Sequence, residues 1–424
     1  MKRTIGLVVL IAVLVVSFAL TGSAEPTTLR LTWWGNQTRN DMTIEVIELF
    51  EKKNPGYKVK PEYTSWAGYW DRMAAQAAGS NLADIMQQDF KYITQYAESG
   101  QIIPLDSYVN KGINLKDVED TFIEPGKVDG KLYGINLGAN TYVFAYDPEM
   151  FAKAKVKEPN PNWTWAEYLD TCKKLQKGLK KFADNELGFA TNNISGLEHY
   201  VRQRGQQIFD PSGKKLGFDP KLFVEFYKMD LDLTKAKVFA PPEVRLEVTS
   251  VENNLLVTKK AAMSSVWTNQ IVAFTNAAQR PLKMALFPKD KKQVKEGTYL
   301  KPSMFFSITK DCKDRDAAAK FIDFFINDVE VNKILKAERG VPISSKVRAA
   351  MAPDLDETGK AMFEIIDLAG KHSSAIDPPP PAAFKQVIDV LNDVHYKMLY
   401  KVITLDQGAK EFFERSNKVL AEAL

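Results

Sequence analysis

Apolar and polar residues alternate at the start of the globular part of the chain. Leu29, Leu31 and Trp33 take one parity, and Thr28, Arg30 and Thr32 the other. A two-residue period predicts a strand. Met42, Val46, Leu49 and Phe50 then recur at helical spacing until Asn54-Pro55-Gly56 stops the pattern. A second strand is predicted near Tyr57 to Tyr63, a helix from about Trp66 to Ala78, a third strand over Asp84 to Gln88 and a helix up to Ser99-Gly100. Such alternation of strand and helix predicts a parallel sheet covered by helices. Ligands of such sheets bind beyond the carboxyl ends of the strands.

A second organisation begins at YGINLGANTYVFAYDPEMF, residues 133–151. Gly134 to Leu137 and Thr141 to Tyr146 read as strands around a Gly138-Ala139-Asn140 break, and Asp147-Pro148 opens a helix. Thr164 and Glu167 have the spacing of a capping box, and helical patterns dominate to about residue 260. KKAAMSSVWTNQ, residues 259–270, is a short buried strand ending in a tryptophan beside a threonine and an amide. Strands near Met284 to Phe287 and Phe305 to Ile308 precede the helix DAAAKFIDFFIND. The chain closes in helices, the last capped by Thr404 with Gln407, after the rigid turn Pro378 to Pro381.

The extreme N-terminus changes the compartment. A basic start at Lys2-Arg3, an apolar run from Ile5 to Leu20 and small residues at Gly22-Ser23-Ala24 read as a cleavable secretory signal over residues 1–24. An uncleaved anchor is the competing reading. No cysteine follows the apolar run for lipid attachment, so a periplasmic location is expected. The remaining 400 or so residues suffice for two or three domains. The formal charge of +4, which falls to +2 without Lys2 and Arg3, gives no basis for nucleic-acid or membrane binding. Cys172 and Cys312 stand far apart and read as two buried thiols, with a disulfide the alternative.

Trp33-Trp34-Gly35-Asn36-Gln37 ends the first strand, Thr64-Ser65-Trp66 the second and Gln87-Gln88-Asp89 the third, which brings aromatic, amide and carboxylate groups to one rim. Trp33 has core parity, whereas Trp34 and Trp66 are expected to face a ligand. The tryptophans of WTW at 163–165 read as structural. A glycosidase would need two carboxylates across a sugar site, and Asp89 is the only acid placed on the rim. His199, His372 and His395 are scattered, Gly-x-Ser-x-Gly is missing and GKVDGKL fails as a phosphate loop. Neither catalysis nor a metal or cofactor is therefore expected.

The order of KNPGYKV, DIMQQDFKYITQYAESGQIIPLD, DGKLYGINLGANTYVFAYDPEMF, WTWAEY, AAMSSVWTNQ and FFSITKDCKDRDAAAKFIDFF resembles family 1 extracellular solute-binding proteins. These are the receptors of ATP-driven sugar importers, a group that contains maltose-binding protein. The resemblance implies an α/β, two-lobe periplasmic-binding-protein-like (type II) fold with a hinge, an interlobe ligand cleft and a helix-rich second lobe. By position, the chain would cross between lobes at Asn140-Thr141-Tyr142, at Ser303 to Phe306 and at Gly340-Val341-Pro342. The lobes would comprise 25–141 with 306–341, and 142–305 with 342–424. It further implies a saccharide ligand, the transmembrane subunits of an ABC permease as partner, and a monomer.

Sugar chemistry points to the same residues. A pyranose offers an apolar C–H face to an aromatic ring and a rim of hydroxyls to amides and carboxylates. Trp34, Gln37, Trp66, Gln88, Asp89, Asn140, Trp267, Asn269 and Phe305 are the candidate contacts, and the resemblance makes Trp267 the second lobe's stacking platform. Asp89 has the competing role of helix cap, Asn140 of a residue that tolerates a bend, and Phe305 of a core residue. Arg339 reads as a helix-end charge. A receptor for peptides or other solutes is the alternative function, and a secreted glycoside-active enzyme a more distant one.

Overall fold

The computed structural model describes residues 26–35, 37–185, 194–381 and 383–422. The signal-peptide expectation, residues 1–24, lies outside the described residues, as does Asn36. The first strand β1 (Thr27–Trp34) leads into α1 (Gln37–Lys53), β2 (Tyr57–Thr64), α2 (Trp66–Ala78) and β3 (Ile85–Gln88). Further strands are β4 (Ile135–Asn136), β5 (Ala139–Asn140), β6 (Tyr142–Tyr146), β7 (Met263–Trp267), β8 (Lys283–Ala285), β9 (Lys301–Pro302) and β10 (Phe305–Ile308).

One sheet has the order β2-β1-β3-β10-β4. β1 pairs in parallel with both neighbours, Leu29 opposite Val59 and Leu31 opposite Ile85. The expected wholly parallel sheet is corrected to a mixed one: β10 runs antiparallel to both β3 and β4. It follows the short strand β9 (Lys301–Pro302) directly, so no crossover helix precedes it.

The second sheet is antiparallel, in the order β8-β6-β7. Every residue of β6, Tyr-Val-Phe-Ala-Tyr, is buried, because both faces are covered. Tyr142, Phe144 and Tyr146 face a core shared with Trp163 and Trp165, while Val143 and Ala145 face a core that continues into the first sheet. Helices α3 (Trp165–Leu179), α4 (Ser195–Arg202), α5 (Pro220–Lys235), α6 (Arg315–Asn327), α7 (Glu357–Lys371), α8 (Phe384–Leu399) and α9 (Leu405–Glu422) complete the fold. Two predicted caps form as capping boxes. Thr164 N donates to Glu167 Oε2 at 2.7 Å, and Thr404 N donates to Gln407 Oε1 at 2.8 Å. The WTW tryptophans are core, with Trp163 Nε1 donating to Leu286 O at 2.7 Å and Trp165 Nε1 to Gln203 Oε1 at 2.8 Å. Cys172 and Cys312 are free buried thiols, and burial pushes the Cys312 thiol up to about 12.

The two sheets are joined at a small ribbon. β5 pairs antiparallel with β9, so two crossings of the chain lie side by side. Val341 is laid against them: Ala139 N donates to Val341 O at 3.0 Å, and Val341 N to Ala139 O at 3.2 Å. Gly138 is enclosed there, because a Cβ on it would stand 2.2 Å from Arg339 O. Gly340 turns with φ +90°, a left-handed conformation that suits glycine.

The third crossing is not where the sequence suggested. After Val341 the chain stays with the first unit: Ser345 N donates to Asp117 O at 2.8 Å, and the Arg348 guanidinium lies 5.1 Å over the Phe122 ring. Residues 344–351, expected in the second lobe, therefore pack on residues of the first. The chain passes over between Met351 and α7, and Arg348 spans the passage by pairing with Glu119 at 2.7 Å and Asp367 at 2.6 Å.

Candidate functional site

A cavity of about 550 Å³ opens between the two units, within the usual 300–1,000 Å³ of small-molecule sites. Phe90, just past the carboxyl end of β3, bounds it on one side. Trp267 at the carboxyl end of β7, Glu198 on α4, Tyr299, and Phe209 bound it on the other, with Lys301 of the connecting ribbon and the turn Pro378 to Pro381. Rigid prolines suit a wall that must hold its shape with few backbone hydrogen bonds.

Trp267 is half-buried, its ring 5.2 Å from that of Tyr142, and the Lys301 ammonium lies 5.1 Å over it. The Tyr299 hydroxyl donates to Glu198 Oε2 at 2.7 Å. Burial pushes the Glu198 carboxyl above its ordinary range, against the pull of Arg202. Behind the wall the buried Arg202 guanidinium pairs with Asp377 and donates from Nε to Gly297 O at 2.9 Å. His199 stacks on Phe287 at 4.5 Å; burial, with Arg202 nearby, pushes its imidazole down to about 3.

The candidate residues of the first unit are arranged otherwise than expected. Trp34 is buried beneath Trp66, Tyr69 and Trp70, with ring centroids 5.0, 5.0 and 5.8 Å away, and is not open to a ligand. The reason is that the first sheet is covered on both faces, so both parities of β1 end in core. Gln88 is likewise fully buried, its amide nitrogen 3.5 Å from Met86 Sδ. Phe305 is a core residue packed on Gly134, which has no room for a Cβ. Trp66 is 46% exposed and caps a platform with Trp70 and Tyr92, whose rings are 4.1 Å apart.

Gln37 begins α1 and donates to Asp41 Oδ1 at 2.7 Å. Asp89 Oδ1 accepts from Lys91 N at 2.8 Å, holding the turn after β3. Asn140 accepts from Thr268 Oγ1 at 3.2 Å and belongs to the ribbon, and Asn269 is exposed in the turn after Trp267. Of the candidates, Trp267 lines the cavity. Arg339 is buried, not a helix-end charge, and donates to Thr43 Oγ1 at 2.9 Å; burial, with Arg39 nearby, pushes its guanidinium down to about 9. Sequence reasoning missed Phe90, Glu198, Tyr299 and Lys301. Phe90 and Lys301 adjoin segments already singled out, whereas nothing local marks Glu198 or Tyr299.

Two α/β units joined by adjacent strand crossings, with a cavity between them, define a two-lobed architecture. A family model for bacterial extracellular solute-binding protein matches residues 45–362. An extracellular solute-binding protein of family 1 from Alicyclobacillus acidocaldarius superposes with a TM-score of 0.88 at 31% identity, covering 94% of this chain and 100% of that one. A periplasmic oligogalacturonide binding protein from Yersinia enterocolitica gives 0.76 at 23% identity, covering 94% and 100%, a likeness of fold. An sn-glycerol-3-phosphate-binding periplasmic protein from Brucella abortus is 24% identical over 249 residues, 54% of this chain and 56% of that protein. The matches span only 35% to 56% of the length of such curated relatives. The chain belongs to the bacterial extracellular solute-binding proteins, and its place of action is outside the cytoplasm.

Proposed function

We propose that the chain is the substrate-binding protein of an ATP-driven importer, which takes a carbohydrate into the cavity and delivers it to the transmembrane permease subunits. The observation that carries this reading is the cavity itself: Phe90 and Trp267 supply aromatic surface from opposite units, and Tyr299, Glu198 and Lys301 supply hydrogen-bonding groups. Aromatic faces with polar groups around them suit a sugar. Room for more than one ring favours an oligosaccharide.

The protein acts as a monomer in the periplasm, released from a signal peptide at residues 1–24. Its lobes are 25–141 with 306–351, and 142–305 with the helices from α7 onward. The connecting ribbon serves as the hinge, since closure by hinge bending is the motion of this class of receptor. Ligand bridging both lobes favours the closed form. Binding proceeds without chemistry: the Asp377 carboxylate is held by Arg202, and Glu198 is hydrogen-bonded to Tyr299.

A thermal-shift screen of residues 25–424 against saccharides, amino acids and short peptides tests this. Stabilisation of about 2.7 kcal/mol is expected at a hundredfold excess over Kd, with the saccharide recovered intact. A response to peptides alone, or cleaved sugar, would refute it.

A further inference from the structure

The charges on the cavity wall are unequal. Among the described residues, Glu198, Asp210 and Asp377 line it, against one ammonium, Lys301. The neighbouring cations are already engaged. Arg202 pairs with Asp377 and donates from Nη2 to Ser374 Oγ at 2.8 Å and Ala375 O at 2.7 Å, and Lys295 stands 3.5 Å from Asp377. Lys301 lies over the Trp267 ring.

The three carboxylates are also unlike one another. Asp377 is balanced by Arg202 and Lys295. Asp210 is turned into its own loop, accepting from Ser212 Oγ at 2.8 Å and from Lys214 N at 3.1 Å. Glu198 takes its hydrogen bond from a neutral phenol, Tyr299, and feels Arg202 and Lys301 only through space, so of the three its carboxylate is the one without an ion pair or loop amides of its own.

We infer that the cavity accepts uncharged saccharides and excludes sugar acids and sugar phosphates, with Glu198 as the residue that sets this limit. The inference rests on the carbohydrate reading above. A sugar hydroxyl donates to a carboxylate and gains a charge-assisted hydrogen bond. A uronate or phosphate oxygen has no proton to give and brings a second negative charge into a partly desolvated space. Burial already holds the Glu198 carboxyl above its ordinary range, so the site disfavours negative charge before any ligand arrives and a second anion adds to that cost.

The test is titration calorimetry on residues 25–424 with neutral di- and trisaccharides, digalacturonate and glucose 1-phosphate, repeated with Glu198→Gln. A neutral saccharide should bind at least tenfold more tightly than either anion. Glu198→Gln should narrow that gap by threefold or more. An anion that binds the wild-type protein as tightly as the best neutral sugar overturns the inference without any variant, as does a gap unchanged in Glu198→Gln. Binding of a peptide and of no saccharide would instead remove the carbohydrate reading beneath it.

Discussion

Replacing Gly138 by alanine tests whether the connecting ribbon holds the two units together. The added Cβ would stand 2.2 Å from Arg339 O, 2.9 Å from Arg339 C and 3.0 Å from Gly340 C. These are backbone atoms, so relief requires the 339–341 segment to move by about 1 Å away from β5 to restore ordinary contact. That movement strains the two Ala139–Val341 hydrogen bonds and the bond from Ser303 N to Gly138 O, 2.9 Å long. Overpacking costs about 1–3 kcal/mol and each weakened hydrogen bond up to about 1 kcal/mol, while the stiffer unfolded chain returns about 0.4–1 kcal/mol. The net loss is about 3 kcal/mol, equivalent to a fall of roughly 3–4 °C in Tm for a chain of this length. Gly79→Ala is the control, since its Cβ would meet nothing closer than 3.6 Å. Denaturation followed by tryptophan fluorescence and calorimetry measures both. A Tm for Gly138→Ala within 1 °C of wild type would refute the close-packed ribbon.

Trp267→Ala removes the cavity's stacking ring and should weaken saccharide binding by roughly 1–3 kcal/mol; calorimetric affinity within threefold of wild type would contradict its assignment. Phe305→Ala opens a void between the first sheet and Gly134 and should cost about 3–5 kcal/mol of stability in urea unfolding, with ligand affinity unchanged in the folded protein. His199 is neutral in the fold, pushed down by burial to about 3. The unfolded chain takes up its proton first, so the contribution is full above pH 6.5 and is lost as pH falls towards 3, by up to about 1.4 kcal/mol per pH unit. His199→Phe should flatten the unfolding free energy measured across that window, and an unaltered slope would show that His199 does not cause it.

Much of the fold is legible in the sequence because its signals are local. The alternation before Trp34, the Asn54-Pro55-Gly56 stop and the two capping boxes each act over a few residues, and each element forms where it was expected. Trp34 misleads because alternation reports which parity is apolar, not whether the other face is covered as well. Gly340-Val341-Pro342 has a hinge's composition, yet Val341 is a strut bonded to Ala139, and the crossing follows Met351. The cavity was the least legible part. Glu198, Tyr299 and Asp377 come from three distant segments of the second unit and Phe90 from the first, and no spacing along the chain records that they meet. Trp267 was visible because it ends a short buried strand beside a threonine and an amide, and because the family resemblance gave it a stacking role.

The place of β10 bears on the order in which the protein can be assembled. It sits between β3 and β4, bonded to both, although it starts 169 residues after Asn136 ends β4 and 217 after Gln88 ends β3. Until Ile308 has been synthesised, the first sheet has a vacant interior position, and the facing edges of β3 and β4 are unpaired. No N-terminal fragment shorter than this can close that core, and contacts of such long range form slowly. Three-quarters of the chain must therefore emerge before the first lobe can become native, a delay that prolongs the loose, threadable form an exported polypeptide needs.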